Sequence, residues 1–264
     1  MPTDDRPDRR NGETRVRDAL LVALTVSSGA VDALSWLALG SFSAFMTGNL
    51  AFLGFRVGGA ASGPPLVRVL SAVAGFALGA ALAARVVRTS REGGDVWPRR
   101  VTVALAAAPL AQVAFLAVWT MVGGHPSSRA GDLLIAFSSL AMGMQTAAIS
   151  SLGVRGVFTT AATATLAILA GDLSGWSQPS AERRRLAAVV IGLFAGAVTG
   201  AALFVHATSW APVFPFAVTA LVVAAATFSF QTGRLPGHRT VRGSLQQRPG
   251  SPPTQSSAAP ASPS

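Results

Sequence analysis

The segment VDALSWLALGSFSAFMTGNLAFLG, from Val31 to Gly54, is almost entirely apolar, yet Asp32 lies near its start and Thr47-Gly48-Asn49 near its middle. A charged residue at the centre of a membrane helix costs about 2.5–3.5 kcal/mol on insertion scales, so a carboxyl group there is expected to be paired, hydrogen-bonded or protonated. The segment therefore raises two questions. The first is whether the chain spans a membrane, and the second is whether it holds a polar site inside that membrane.

The composition of the whole chain is that of a membrane protein. Half of the 264 residues are hydrophobic and only 12% are charged, whereas about a quarter of the residues in soluble domains are charged. There is no Cys, which excludes disulfides and thiolate metal sites. The 21 basic residues, all Arg, lie between apolar runs and in the two tails. The net charge of +10 therefore indicates the flanks of membrane helices, and nucleic acid is not an expected partner.

Six long apolar runs predict the fold. A helix needs about 20 residues to cross the hydrocarbon layer, and lipid offers no partner for free backbone N–H and C=O groups, so each run is expected to be helical. The runs cover residues 18–40, 66–88, 100–122, 131–152, 184–206 and 210–230. We predict an all-α fold, a polytopic transmembrane helix bundle at residues 18–233, with disordered polar tails at 1–17 and 234–264.

Two shorter runs, Ser43–Val57 and Phe158–Leu173, have about 15 residues each, which is too short for an upright crossing. If both are re-entrant, six spans result, and 18 Arg residues face one side against 3 on the other. If both cross, eight spans result, and the division is 15 to 6. The positive-inside rule favours about six long spans plus two short or re-entrant helices, and both arrangements place the termini in the cytoplasm.

An ordered series of matches predicts an internal repeat, with halves at about 18–122 and 131–230. Gly29–Ala33 resembles Gly143–Ala147, Thr47–Leu50 resembles Thr163–Leu166, and Val67–Leu82 aligns with Ala188–Leu203 with seven identities in sixteen positions. Three crossings in each half place the halves in opposite orientations, whereas an eight-span chain would have parallel repeats. Inverted repeats with a short helix at equivalent places are typical of transporters.

Asp32 is the only acidic residue well inside an apolar run. One interpretation is functional: a proton or cation site, or an anchor for a polar substrate. A second is structural: a carboxylate that caps the start of the short helix near Ser41 and Ser43. A third is a neutral Asp that donates to a neighbouring backbone carbonyl. The sequence leaves these interpretations open.

The Thr-Gly-Asn triplet belongs to the first short run, and its glycine allows another backbone to approach closely. It predicts either a half-helix that lines a polar cavity together with Asp32 or contacts that hold helices together. The repeat places further polar residues on the opposite side of such a cavity. The predicted substrate or ion site therefore contains Asp32, Thr47, Asn49, Gln145, Thr146 and Thr163.

Small residues at four-residue spacing predict helix packing. Gly75 and Gly79 form one ridge, and Gly196 and Gly200 form another. Such residues let membrane helices approach closely, and we expect these contacts to lie between the two halves.

Signatures of catalysis are missing from the sequence. There is no HExxH motif, no GxSxG with a plausible triad, no P-loop and no clustered acidic pair. Neither His125 nor His238 has a metal-ligand partner at a useful spacing. We therefore expect no enzyme activity, no catalytic residues, no metal and no cofactor.

The stretches GAVDALSWLALGSFSAFMTGNLAFLG (Gly29–Gly54) and GMQTAAISSLGVRGVFTTAATATL (Gly143–Leu166) resemble the YoaK-like family of bacterial inner-membrane proteins. The resemblance covers about residues 20–230. It implies a multi-pass protein of the bacterial inner membrane but supplies no substrate, because the family is a domain of unknown function. The family's second-half motifs read closer to Gly-x-Gln-Asn-Ala and Thr-x-x-Thr-Gly-Thr-Leu. Thr146 and Ala164 depart from them, which weakens the second half of the site in this chain.

Two hypotheses of different classes follow. The first is a small-molecule or ion transporter, whose substrate binds near the midplane while one half rocks against the other, with Asp32 protonation as a candidate coupling event. The second is a membrane scaffold or sensor with a structural polar core that transports nothing. The lipid bilayer is the expected partner in both, and the sequence defines no oligomeric state.

Overall fold

The computed structural model describes residues 6–60, 63–88, 95–154, 162–173 and 180–230, and these residues form helices without strands. In chain order the helices are α1 (Arg6–Leu39), α2 (Met46–Val57), α3 (Leu66–Val87), α4 (Arg99–Ala106), α5 (Ala108–Met121), α6 (Ser128–Ser150), α7 (Ala162–Leu173), α8 (Ser180–His206) and α9 (Val213–Phe230). The predicted all-α fold is confirmed.

Six helical segments of the described chain are long and apolar enough to cross a membrane, which confirms the predicted number of long spans. They are α1 from Arg10 onward, α3, α4 together with α5, α6, α8 and α9. The third span is broken at Ala107, between α4 and α5. Pro109 lies in the first turn of α5, where its ring and its missing N–H interrupt the helical hydrogen bonds.

α1 begins earlier than the sequence analysis predicted. Residues 6–17 are helical, whereas residues 1–17 were predicted to be disordered. The apolar part of α1 supplies a helical nucleus, and extending an existing helix costs less than starting one. Within this extension, Thr14 Oγ1 donates to the Arg10 carbonyl oxygen at 2.9 Å. The disordered tail predicted at 234–264 lies outside the described residues.

α1 and α8 pack closely against each other. A Cβ added at Gly29 would overlap the Leu193 carbonyl oxygen, and one added at Gly196 would overlap the Val26 carbonyl oxygen. Backbones approach this closely only where a glycine leaves room. Gly192 lies against Val22, Gly196 against Val26 and Gly200 against Ala30, so numbers rise together along the two helices, and α1 and α8 run parallel.

The α3–α6 pair has the same kind of contact. A Cβ at Gly79 would overlap the Leu140 carbonyl oxygen, and a Cβ at Gly75 would lie 2.6 Å from the Ala136 carbonyl oxygen. These helices also run parallel. The glycines of both predicted ridges therefore lie where a helix of the first half meets a helix of the second half.

The helix ends define two ends of the bundle. The first apolar residues of α1 pack with the ends of α3, α6 and α9 in one core cluster. We call the end of the bundle that holds this cluster the N-terminal end. Members of this cluster include Leu21, Val87, Ile149 and Ala226. The end of α1 packs with the end of α5 and the first part of α6 in another cluster, and we call this the α2 end. Members of this cluster include Leu39, Trp119 and Leu134.

α2 enters the bundle and returns to the same end. Arg68, in the first turn of α3, donates from Nη1 to the Leu39 carbonyl oxygen at 3.0 Å, so the end of α1 and the start of α3 meet at the α2 end. The 12-residue α2 between them therefore does not cross the bundle. Ile149 of α6 and Val189 of α8 share the cluster at the N-terminal end, so α7 does not cross either. The result is a six-span arrangement with two short helices.

Candidate functional site

The loop of residues 40–45, between α1 and α2, turns the chain back into the bundle. It starts at Gly40, whose φ of 71° lies in the left-handed region. The Gly40 N–H donates to the Trp36 carbonyl oxygen at 2.9 Å. Glycine adopts this conformation without the strain that a side chain would bring. From there the chain returns to the depth of Asp32, about 10 Å below the end of α1.

Asp32 and Asn49 hold this loop. Asp32 Oδ1 accepts hydrogen bonds from the backbone N–H groups of Ser43 at 2.9 Å and Ala44 at 2.7 Å. Asn49 Oδ1 accepts from the Phe42 N–H at 3.1 Å, and Asn49 Nδ2 donates to the Phe42 carbonyl oxygen at 2.7 Å. A carboxylate is an acceptor only, whereas a carboxamide both accepts and donates, so each side chain suits its partners. The structure thus brings these two predicted site residues together on one loop.

Gly48 leaves room for two aromatic rings. A Cβ at Gly48 would lie 2.8 Å from the Phe45 ring and 3.0 Å from the Phe42 ring. Phe42 in turn stacks on Trp36, with ring centroids 5.0 Å apart. The Thr-Gly-Asn triplet therefore combines an amide that clamps the loop with a glycine that accepts its aromatic rings.

A chain of three buried serines connects this loop with α6. Ser43 Oγ lies 2.6 Å from Ser35 Oγ on α1 and donates to Ser138 Oγ on α6 at 2.7 Å. Asp32 holds the backbone N–H of the same Ser43. The loop is consequently a bridge between α1 and α6.

A cavity of about 30 Å³ lies beside the serine chain, between α1, α5, α6 and α9. A water molecule needs roughly 10–15 Å³ of such space, so the cavity has room for one or two. Within the described part of the chain, its lining has three polar side chains, Ser35, Gln112 and Ser138, and no charged one. The other lining residues are apolar and include Leu34 and Phe115.

Gln112 carries an unused acceptor at this cavity. Its Nε2 donates to Thr219 Oγ1 at 3.4 Å, and Thr219 Oγ1 lies 3.1 Å from Ser27 Oγ. Gln112 Oε1 is buried and has no hydrogen-bond partner within the described part of the chain. A buried acceptor left without a partner costs about 1–3 kcal/mol. This oxygen is therefore a candidate contact for a ligand that donates a hydrogen bond.

The other four predicted site residues are not among the residues that line the cavity. Thr47 and Thr163 are exposed. Gln145 is buried and donates from Nε2 to the Leu24 carbonyl oxygen at 3.3 Å, toward the N-terminal end. Thr146 Oγ1 is buried and has no partner among the residues that the structure describes. The single cavity predicted to be shared by all six residues is therefore not assembled in this structure.

The antiparallel course of α1 and α6 explains this separation. Leu24 of α1 meets Gln145 of α6, whereas Ser35 of α1 is connected with Ser138, so rising numbers in α1 meet falling numbers in α6. Matching positions of the two halves then lie on opposite sides of the bundle centre. The sequence analysis missed Gln112, Ser35 and Ser138, whose signal is a polar residue within an apolar run.

Ion pairs join helices at both ends of the bundle. At the α2 end, Arg68 Nε lies 3.0 Å from Asp132 Oδ1 and ties α3 to α6. At the N-terminal end, Arg185 Nη1 lies 3.7 Å from Asp18 Oδ2 and ties α8 to α1. Asp18 Oδ1 also pairs with Arg17 Nη2 at 2.7 Å. Across the described ranges, no group of three or more His, Cys, Asp or Glu side chains could hold a metal ion.

Six long apolar spans, a short helix that enters and returns, and a polar loop inside the bundle define a multi-pass integral membrane protein. The chain belongs to the family described as "Protein of unknown function (DUF1275)", whose model matches residues 20–225. It is 34% identical over 160 residues to the UPF0700 transmembrane protein YoaK of Bacillus subtilis (strain 168), a match that covers 60% of this chain and 68% of that protein. No solved structure matches. The resemblance to the YoaK-like family is confirmed.

Proposed function

We propose that the protein transports a small, uncharged polar solute across the membrane. The observation that carries this proposal is the cavity between α1, α5, α6 and α9, which brings Ser35, Gln112 and Ser138 together among apolar lining residues. Polar groups at membrane depth are costly and are typical of substrate pathways. The solute would occupy this cavity and donate a hydrogen bond to Gln112 Oε1.

The lining of the cavity favours a neutral solute over an ion. Among the residues that the structure describes, no charged side chain borders the cavity, and an ion taken out of water without a partner costs several kcal/mol. The Asp32 carboxylate is engaged with two backbone N–H groups of the loop. A solute with an N–H or O–H donor for Gln112 and an apolar side for Leu34 and Phe115 fits this lining.

The loop of residues 40–45 connects the cavity with Asp32. Ser43 of the loop contacts Ser35 and Ser138, both of which line the cavity, and Asp32 accepts from the Ser43 N–H. Hydrogen bonds to a charged acceptor are roughly twice as strong as those to a neutral one. Protonation of Asp32 would weaken its hold on the loop, so proton binding and solute release are linked in this proposal.

The helix contacts support the inverted repeat on which the proposal depends. Gly143 follows Gly29 by 114 residues, and Leu193 follows Phe76 by 117 residues. The contact of Gly29 with the Leu193 carbonyl oxygen in the α1–α8 pair therefore has a counterpart in the contact of Gly143 with the Phe76 carbonyl oxygen. Repeats of opposite orientation with short helices at equivalent places are a recurring plan of secondary transporters.

These contacts favour a register that differs by four residues from the sequence alignment. The alignment matched Gly75 with Gly196, whereas the contacts match Gly79 with Gly196, because these two oppose the equivalent carbonyl oxygens of Leu140 and Val26. A shift of four residues is about one helical turn and keeps the same face of the helix. Glycines spaced four residues apart make both registers plausible from sequence alone.

In this proposal the N-terminal end of the bundle faces the cytoplasm from a bacterial inner membrane. With six spans, 18 Arg residues belong to that side and 3 to the other. Positively charged loops are retained on the cytoplasmic side during insertion. The cavity, nearer the α2 end, would then lie toward the outer side.

A ligand screen followed by an uptake assay tests the proposal. Purified protein is screened by thermal shift against small neutral amides and alcohols, and each hit is tested for uptake into proteoliposomes. Gln112→Leu, which keeps the size but removes the acceptor, is expected to reduce affinity about tenfold, the value of one hydrogen bond of roughly 1–1.5 kcal/mol. Ser139→Ala, a buried change outside the cavity lining, is the control. Equal uptake by Gln112→Leu and wild type would exclude this cavity as the pathway.

A membrane scaffold is the second candidate function, and one observation favours it. Asp32 and Asn49 both bind backbone groups of the loop, as residues of a purely structural polar core would. For a scaffold, no compound in the library shifts the melting temperature, and Asp32→Asn changes stability alone. A solute whose uptake is lost in a folded Asp32→Asn protein decides for transport.

A further inference from the structure

The spans sort into two groups by their packing. α1 packs against α8 and α9, whereas α6 packs against α3, α4 and α5. We call α1, α8 and α9 the α1 body, and α3, α4, α5 and α6 the α6 body. Each body combines helices from both halves of the chain.

We propose that the α1 body and the α6 body move against each other, and that the ion pairs Asp18–Arg185 and Asp132–Arg68 are matched clamps, each fixing the register of the glycine-packed helix pair within one body. The inference rests on the proposed transport function. It replaces the rocking of sequence half 18–122 against 131–230 that the sequence analysis predicted. The four charged residues then act as positioning residues away from the cavity.

Backbone contacts make each body rigid. Gly29 and Gly196 lie against backbone carbonyls within the α1–α8 pair, and Gly79 and Gly143 do so within the α3–α6 pair. Helices packed this closely cannot slide past each other without overlap of their backbones. The lower-cost motion is therefore between the bodies rather than within them.

The two clamps occupy equivalent places. Asp132 follows Asp18 by 114 residues, and Arg185 follows Arg68 by 117 residues, which are the offsets that also relate the glycine contacts. One pair is 3.0 Å long at the α2 end, and the other is 3.7 Å long at the N-terminal end. Each therefore fixes the register of one glycine-packed pair, α3–α6 or α1–α8, at opposite ends of the bundle.

The seam between the bodies carries side-chain hydrogen bonds in place of backbone contacts of this kind. Ser43, on the loop that Asp32 anchors to α1, donates to Ser138 of α6 at 2.7 Å. Gln145 of α6 donates to the Leu24 carbonyl oxygen of α1 at 3.3 Å. Such bonds contribute about 0.5–1.5 kcal/mol each, so a few of them can break and reform during a motion.

The seam is loose at the α2 end and packed at the N-terminal end. Leu34 and Ser35 of α1 line the cavity. Their counterparts 114 residues later, Ala148 and Ile149 of α6, belong instead to the core cluster at the N-terminal end. Of two equivalent positions in the seam, one borders a cavity and the other is packed. This difference is expected of a single conformation in an alternating-access cycle. In the opposite conformation the cavity would open beside Ala148 and close beside Leu34.

Spin-label distances in the full-length protein, reconstituted in nanodiscs, test this motion. The chain has no Cys, so cysteine pairs can be introduced without background. One label pair, Met121→Cys with Val205→Cys, measures the distance between the two bodies. The other pair, Met121→Cys with Leu66→Cys, measures a distance within the α6 body. All three side chains are exposed. Each pair is measured with Asp32 intact and with Asp32→Asn, which removes the charge that holds the loop.

We expect Asp32→Asn to shift the between-body distance by several ångström or to split it into two populations. The within-body pair should keep one narrow distribution in both proteins. An unchanged between-body distance, or an equal change within the body, would overturn the inference. Transport can fail separately: shifted distances in a protein that moves no solute would remove the proposed function and leave the two-body motion standing.

The clamp role has its own readout in the same label pair. Asp132→Asn is expected to broaden the distribution between labels at Leu66 and Met121, and the exchanged pair Arg68→Asp with Asp132→Arg is expected to restore it. A narrow distribution in Asp132→Asn would show that the glycine contacts alone keep the body rigid and would refute the clamp.

Discussion

Asp32 and Asn49 bind adjacent residues of one loop from two different helices. Asp32, on α1, accepts from the N–H groups of Ser43 and Ala44, and Asn49, on α2, binds both backbone groups of Phe42. Three consecutive residues are thereby fixed just before α2 begins. The short helix α2 has too few residues to span the bundle. Its position therefore depends on the loop that these bonds hold.

Asp32→Ala is expected to lower the free energy of unfolding by about 1–3 kcal/mol, because two backbone N–H groups lose their acceptor. Asp32→Asn keeps an acceptor oxygen and is expected to lose less. Denaturant titration of the purified protein, followed by tryptophan fluorescence, measures both values. Equal losses for the two variants would mean that the hydrogen bonds contribute little and that the charge alone matters.

Asn49→Asp is expected to lower the melting temperature although it changes only one group. The new carboxylate can still accept from the Phe42 N–H, but it places an acceptor against the Phe42 carbonyl oxygen where an amide donor lay at 2.7 Å. Thr47→Ala, at an exposed position of the same helix, is the matched control and should stay within about 0.5 kcal/mol of wild type. A melting temperature for Asn49→Asp equal to that of the control contradicts the clamp.

Glycine substitutions separate close packing from helix propensity. Gly29→Ala and Gly79→Ala each place a methyl group on a backbone carbonyl of the neighbouring helix, and each is expected to cost about 1–3 kcal/mol of stability. Gly54→Ala, with no neighbouring atom within 4 Å, is expected to be neutral or to gain up to about 1 kcal/mol. Thermal unfolding in one detergent compares all three. A loss at Gly54 as large as at Gly79 would point to a general effect of alanine.

The fold was predictable from sequence because lipid removes most alternatives. Backbone groups in hydrocarbon must bond within the segment, so a long apolar run becomes a helix of nearly the same bounds. The run predicted at 66–88 is α3, Leu66–Val87. The start of α1 was not predictable in this way, because residues 6–17 are polar and extend the helix beyond its apolar part.

The candidate site was predictable only in part. Asp32 and Asn49 stand out as polar residues in apolar runs, but their partners are backbone groups whose places depend on the turn at Gly40. Ser138 and Gln112 reach the site from helices distant in sequence, and no short motif marks them. Asp32 could therefore be found from sequence, whereas the cavity required the packing of four helices.

The two ion pairs should differ in coupling energy. Arg68 and Asp132 are 3.0 Å apart, and Arg68 donates to two carbonyl oxygens besides, whereas Arg185 and Asp18 are 3.7 Å apart and Asp18 is shared with Arg17. Double-mutant cycles with alanine, read by denaturant titration, isolate each pairwise term. Because all four side chains are partly exposed, we expect about 1 kcal/mol or less at Arg68–Asp132 and a smaller value at Arg185–Asp18. A larger coupling at Arg185–Asp18 would contradict this order.

Cysteine labelling tests the six-span arrangement, and the absence of native Cys makes each label specific. Ala60→Cys lies after α2 at the α2 end, and Ser151→Cys lies after α6 at the N-terminal end, and both positions are exposed. A membrane-impermeant maleimide applied to intact cells should label Ala60→Cys, whereas Ser151→Cys should react only after permeabilisation, because the Arg-rich N-terminal end is proposed to face the cytoplasm. The reversed pattern, in which Ser151→Cys is labelled on intact cells and Ala60→Cys only after permeabilisation, would contradict the re-entrant course of α2 in a chain whose N-terminus is cytoplasmic.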